Sequence, residues 1–384
     1  MISAAPTLRF DRNEVAGAFG DIGTDIPLIV GMALAAHLDG TSVLVMFGVM
    51  QILTGLAYRM PMPVQPLKAM AAIVIAQHTT GAVLYGGGLA IGIVMLLLSV
   101  SGLLDMFARI IPKSVVRGIQ FGLGLQLAGI ALKDYVQADG WSGYALAAVS
   151  FALIVALLGN RRIPAALPVV LLGIAYALIV RLNLTTLIGL AGVHLPILRV
   201  PAGKDIVAGF LLLALPQIPL SLGNSVLATS QLSKDLFPHR GVSVRRIGFT
   251  YALMNLLNPW FGGVPTCHGS GGMAGHYAFG GRTGGSVIIY GTILISLGVF
   301  FGPGFDVVIR AFPLPILGVV LLFEAIALVW VARDMAQSRL EFPITVLVGL
   351  IAVGLPYGYL VGMLVGTMLA YLGGRVKLVS PDAP

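Results

Sequence analysis

The sequence predicts an all-α polytopic membrane protein, and three observations carry that reading. First, 58% of the 384 residues are hydrophobic and only 10% are charged, where soluble domains carry about 25%. Second, the mean hydropathy is +0.97. Third, segments such as Ile91–Val100 and Leu317–Phe323 are apolar on nearly every side, whereas the strands of a membrane barrel would alternate apolar and polar residues. At about 20 apolar residues per helical crossing, the chain holds roughly ten to fourteen spans and has no room for a separate soluble domain.

Apolar runs between polar or Gly/Pro breaks place spans at 13–36, 41–57, 64–79, 84–105, 112–131, 142–158 and 164–182, and a second set at 205–236, 245–259, 265–279, 284–303, 307–331, 341–354 and 356–373. The last two are short enough to form a hairpin. The first ten residues lack the apolar core of a cleavable signal peptide. The net charge of +8 comes from basic residues scattered singly or in pairs between apolar runs, a pattern of topology determinants rather than of nucleic-acid binding. With an inward N-terminus, the inner segments collect Arg9, Arg12, Arg59, Arg109, Lys113, Arg117, Arg161, Arg162, Lys234, Arg240, Arg245, Arg246, Arg282, Arg333, Arg339, Arg375 and Lys377. The other side receives Lys133, Arg181, Arg199, Lys204 and Arg310. That bias predicts both termini in the cytoplasm, with a bacterial inner membrane as the expected home. Lys68 is left inside a predicted membrane segment.

Seven spans per half, an odd number, would relate residues 1–200 and 201–384 as inverted repeats. The third span of each half opens on a proline-marked break, Pro61-Met-Pro63-Val-Gln-Pro66 and Gly262-Gly-Val-Pro265-Thr-Cys267. Interrupted segments at matching places point to a binding site near the bilayer midplane. From Val64 the first leaves about fifteen helical residues, or about 22 Å, too short for a hydrocarbon core of about 30 Å. A helix that begins inside the membrane presents unpaired N–H groups and the positive end of its dipole, which suits an anion.

Around these breaks the second segment offers Thr266, His268 and Ser270 as donors, with Cys267 between them and Gly269 allowing close backbone approach; the first offers Gln65 and Lys68. Gly271, Gly272 and Gly275 fit helix packing as well as a site. Lys68 either reaches an interface or serves the site, and the expense of intramembrane charge favours the second. Cys267 and His268 are adjacent ligands without a second cluster, so no metal site is expected, and one cysteine allows no internal disulfide. In the first span Asp21 and Asp25 share a helical face near Glu14. They can hold a coupling proton or cation, orient Lys68 and neighbouring donors, or cap broken helix ends. The eighth span carries Gln217, Ser221, Asn224 and Ser225, able to line a cavity or join helices, and Glu324 in the twelfth is a further coupling candidate. No nucleophile with its base, Walker loop or dinucleotide fingerprint is present, so no enzyme activity and no cofactor are expected.

At these residues the chain resembles the molybdate transporter family, a branch of the sulfate permease superfamily. Pro61-Met-Pro-Val-Gln-Pro-Leu-Lys-Ala-Met-Ala-Ala72 and the stretch Gly263–Arg282 carry the resemblance, supported by Phe19–Thr24, Leu222–Thr229 and Leu232–Pro238. Leu67 stands where the family usually has methionine and His276 where it has glutamine. The resemblance implies a fold similar to sulfate permeases and uracil permease, with fourteen segments as seven plus seven inverted, divided into core and gate domains. It places an oxyanion between segments three and ten, with residues of segments one and eight nearby, and implies no cytoplasmic regulatory domain. Molybdate is the implied substrate, with tungstate or sulfate as analogues and a coupling proton or cation and a homodimer as further partners. A sulfate carrier of the same fold, a passive anion channel and a nucleobase permease are the competing readings. The last would call for an acid in the eighth span, where Gln217 and Asn224 are neutral.

Overall fold

The computed structural model describes residues 7–372 except 105, 107–109 and 161–162. Arg109, Arg161, Arg162, Arg375 and Lys377, assigned above to the inner face, lie outside the described residues. The described chain is mostly helical. It begins with α1 (Arg12–Ala18) and α2 (Ile22–Ala36), bent by 40° at a short break. The Asp11 carboxylate accepts from the N–H groups of Asn13 and Glu14 and starts α1. Next comes α3 (Gly40–Tyr58), whose cap Asp39 accepts from Ser42 N–H at 2.7 Å, then a short strand β1 (Val64–Pro66), α4 (Lys68–Gln77) and α5 (Gly81–Ser101). Three helices follow, α6 (Lys113–Tyr135), α7 (Gly140–Leu157) and α8 (Ala166–Arg181), then a short α9 (Leu184–Gly189). The second half contains α10 (Gly203–Leu236), α11 (Val244–Leu257), strand β2 (Thr266–His268), α12 (Ser270–Ala278), α13 (Gly285–Ala311), α14 (Leu314–Met335), α15 (Glu341–Gly354) and α16 (Gly358–Leu372).

Seven of these helices (α3, α5, α6, α7, α10, α13 and α14) are individually long and apolar enough to cross a membrane, and α1 with α2 makes an eighth if counted across the bend. The helices α4, α8, α15 and α16 are shorter but apolar. The expected segments sit within a few residues of these elements, with two differences. The helix predicted from Val64 starts at Lys68 and has ten residues, about 15 Å, because Val64–Pro66 is extended and paired with β2. The break expected near 304–306 falls at Phe312–Pro313 instead. The chain kinks at Phe301 (φ −138°, ψ 21°), so Pro303 lies in the first turn of the continuing helix, where its missing N–H does no harm.

The helices sort by contact into two groups. In one, α13 packs along α3, and α5 packs against both α10 and α11. Gly48 and Gly291 let α3 and α13 touch backbone to backbone, since a Cβ on either would come within 2.6 Å of the other's carbonyl oxygen. The buried Glu14 carboxylate accepts from the N–H groups of Arg282, Thr283 and Ser286 at 2.8–3.0 Å, which ties α1 to the start of α13. In the other group α14, α15 and α16 gather around α6, with α7 and α8 against α14. The groups meet where α4 lies on α6 and where α2 lies on α8 and α14. A cavity of about 630 Å³ lies at that seam. Its walls include Ile26, Val30, Leu171, Ile174, Phe305 and Val320, and its accessible surface is apolar.

Candidate functional site

The two proline-marked breaks come together as an antiparallel ladder. Val64 pairs with His268, Gln65 with Cys267 and Pro66 with Thr266, and Leu67 N–H donates to Pro265 O at 3.1 Å beyond it. Backbone this irregular survives inside a membrane protein only where its polar groups are answered by protein. Here two amide side chains do so. Gln51 on α3 donates to Val64 O at 2.8 Å and accepts from Val64 N–H at 2.9 Å. Asn255 on α11 does the same to Thr266, at 2.6 and 2.9 Å. Each clamp satisfies both backbone groups of one strand residue. Neither Gln51 nor Asn255 stood out in the sequence, because each lies on a helix more than ten residues before the strand it serves.

Because the strands run antiparallel, α4 and α12 leave the ladder at opposite ends, each starting next to it. Neither has a side-chain cap from its own N-cap residue, Leu67 or Gly269. At α4 the role is filled from α10: Gln217 Oε1 accepts from Ala69 and Met70 N–H at 2.9 and 3.3 Å. Gln217 is oriented by Ser221, which also bonds Tyr251. Lys68, the first residue of α4, extends Nζ to Glu324 Oε1 on α14 at 2.6 Å. At α12, among the described residues, no side chain takes the first-turn N–H groups. Ser270 Oγ donates to Asn224 Oδ1 at 3.2 Å, and a Cβ at Gly271 would meet nothing within 4 Å. The first turn of α12 therefore faces open space at Gly271.

Behind that turn lie Asp21 and Gln65. Gln65 Nε2 donates to both Asp21 oxygens at 2.8 and 2.7 Å, and its Oε1 occupies the space that a side chain at Gly269 would need. Asp21 likewise fills the space beside Gly272, next to the start of α12. Gly275 packs against the Gly20 carbonyl. Gly271 is thus the open position of the three glycines, and Gly272 and Gly275 are packing positions.

Gln65, Lys68, Gly269, Ser270, Gln217, Asn224, Asp21 and Glu324 surround the ladder. Thr266 and His268 turn away from it: Thr266 Oγ1 accepts from Asn258 Nδ2, and His268 bonds Thr250 and stands edge-on to Tyr58. Cys267 is buried opposite Gln65. His276 lies in the last turn of α12, on Ser286 Oγ at 3.1 Å. The buried Asp25 carboxylate and the Tyr290 hydroxyl lie beside each other, too loosely placed for a well-formed hydrogen bond. Among the described residues no three metal-ligating side chains converge.

A family model described as "Molybdate transporter of MFS superfamily" matches residues 13–127 and 209–328. Two Arabidopsis thaliana proteins, molybdate transporters 1 and 2, are each 35% identical to this chain, over 84% and 86% of it and 80% and 81% of their own lengths. A Chlamydomonas reinhardtii molybdate transporter 1 is 29% identical over 94% of this chain and 92% of its own. Among solved structures, SLC26A9 superimposes with a TM-score of 0.69 at 15% identity, covering 94% of this chain. This chain spans 64% of the length of that SLC26A9 chain. The transmembrane domain of a cyanobacterial bicarbonate transporter, BicA, gives 0.67 at 16% identity, covering 95% of this chain and 98% of its own. The likeness in both cases is one of fold. These relatives are transporters, not enzymes, and with the apolar helices they make the chain an integral, multi-pass membrane protein. The relatives compared come from a plant and an alga and give no support to a bacterial membrane.

Proposed function

Because this chain belongs to the molybdate transporter family, we propose that it is a secondary transporter that carries molybdate, bound as a dianion between the starts of α4 and α12. The observation that carries the reading is the open first turn of α12 beside a ladder that also launches Lys68. The helix end offers N–H donors and a partial positive charge of roughly half an elementary unit. Lys68 adds a full charge, and Ser270 and Asn224 add neutral polar groups. A tetrahedral oxyanion, with four acceptor oxygens, matches such a mixed donor set. Asp21 and Gln65 hold the backbone of α12 in place from behind rather than touching the anion.

The finer architecture follows from symmetry. Aligning Pro63 with Pro265 sets Gln65 on Cys267, the central pair of the ladder, and Lys68 on Ser270, the first residue of each half-helix. The two amide clamps then fall on matched residues, Val64 and Thr266. Asp25-Ile-Pro27-Leu28 aligns with Gln217-Ile-Pro219-Leu220, each followed three residues later by glycine. The packing of α3 on α13 maps onto that of α11 on α5. These matches support fourteen segments as seven plus seven inverted, with the ladder on the pseudo-two-fold axis. The group containing the ladder is the core and the group around α6 and α14 is the gate; their relative movement alternates access to the anion. The distribution of basic residues supports cytoplasmic termini.

Binding of molybdate to the purified protein by calorimetry tests this reading, with tungstate, sulfate, phosphate and uracil as competitors. Molybdate binding displaced by tungstate but poorly by sulfate is the expected result. A preference for sulfate would make the protein a general sulfate carrier, and a protein that bound none of the oxyanions would contradict the proposal.

A further inference from the structure

The Lys68–Glu324 ion pair joins the two helix groups. Lys68 opens α4 beside the ladder, and Glu324 lies midway along α14, at 2.6 Å with 23% and 9% of the two side chains exposed. A contact this short across the seam cannot persist while the groups slide past each other, and while it persists Lys68 is neutralised. We propose that Glu324 is the proton-binding residue of the transport cycle: it stands in for the anion on Lys68 when the carrier is empty, and takes up a proton when molybdate displaces it. The inference rests on the reading that molybdate binds at Lys68.

If a dianion took Lys68 while Glu324 stayed ionised, a carboxylate would be left unpaired at a nearly buried position, a strongly unfavourable state. The other titratable groups facing it from α2 are Asp21, just before the helix, and Asp25, in its first turn, and neither brings a positive charge to replace Lys68. Among the described residues, the helices packed on α14 bring no other cation to it: Arg117 and Lys113 on α6 pair with Asp334, ten residues along α14, about 15 Å away. Arg181 on α8 pairs with Asp139, and Lys133 and Asp134 at the end of α6 are exposed. A proton taken from water by the Glu324 carboxylate relieves the conflict and frees Lys68 in one step. Molybdate binding is therefore expected to draw one proton from solution.

The test counts protons. Molybdate titrations in buffers of different ionisation enthalpy are expected to show uptake of about one proton per anion bound by the parent protein and none by Glu324→Gln. Gln mimics the protonated acid, so this variant is expected to hold the parent's low-pH affinity at all pH values and to bind about tenfold or more tightly on the alkaline side. In proteoliposomes an inward proton gradient should accelerate molybdate uptake by the parent and leave the variant unaffected, while the variant still exchanges molybdate for molybdate. A parent that binds molybdate without proton uptake overturns the inference, and this count needs no variant to fold. So does a Glu324→Gln protein that keeps the parent's proton uptake. A parent that binds no molybdate at all would overturn the binding site itself, a different and recognisable failure.

Discussion

The starts of α4 and α12 share one backbone plan and differ in chemistry. Both follow a proline, a three-residue strand and a clamp from an amide side chain. At α4 the exposed N–H groups are already taken by Gln217, and the segment contributes a cation, Lys68. At α12, among the described residues, no side chain intervenes, and Gly271 brings bare backbone to open space. The difference gives the two starts distinct chemistry: one carries a charged side chain, the other presents close, directional N–H donors.

Substitutions at the clamps and at the two helix starts separate the shared plan from the specialised parts. The largest effect is expected at the shared clamps. Gln51→Leu or Asn255→Leu leaves a buried N–H and C=O without partners, about 1–3 kcal/mol each, and each variant should lose several degrees or more of thermal midpoint in detergent. If one clamp proves dispensable, the two ladder edges are not equivalent. Lys68→Ala removes the charge contributed by α4, and a desolvated charged contact is worth about 2–5 kcal/mol, so molybdate affinity measured by calorimetry should fall by well over tenfold while the protein remains folded. Gly271→Ala has free space for its methyl group and should leave stability unchanged, yet it sets carbon where the anion must approach and should weaken binding by about tenfold. Ser270→Ala removes one neutral hydrogen-bonding group, about 1 kcal/mol, and should weaken binding about fivefold. Equal losses from Gly271→Ala and a matched change at Ala69→Val would argue that the two starts contribute alike, against the division drawn here.

Much of this was legible in the sequence because membrane spans and proline breaks are local signals. The polar residues of the first, third, eighth and tenth segments could be assigned to one region on spacing and resemblance. What escaped the sequence was long-range pairing. Nothing local says that Val64–Pro66 would pair with Thr266–His268, and without that pairing α4 was drawn from Val64 instead of Lys68. Thr266 and His268 looked like donors of the site, but alternation along β2 and the polar partners Asn258 and Thr250 turn both side chains away from it. The sequence offers Asp21 coupling, orienting or capping roles and gives Glu14 none of its own; the contacts of Glu14 with Ser286 and of Asp21 with Gln65 span 272 and 44 residues. The internal match of Asp25-Ile-Pro-Leu with Gln217-Ile-Pro-Leu was visible in the sequence and would have strengthened the repeat.

The central claim is that the anion lies between the two helix starts. A structure of the protein with tungstate, whose electron-rich metal marks its own position, tests it most directly. The account predicts one strong peak beside Lys68 and the first turn of α12, with Glu324 drawn away from Lys68. A peak elsewhere, with Lys68 still held by Glu324, would contradict it.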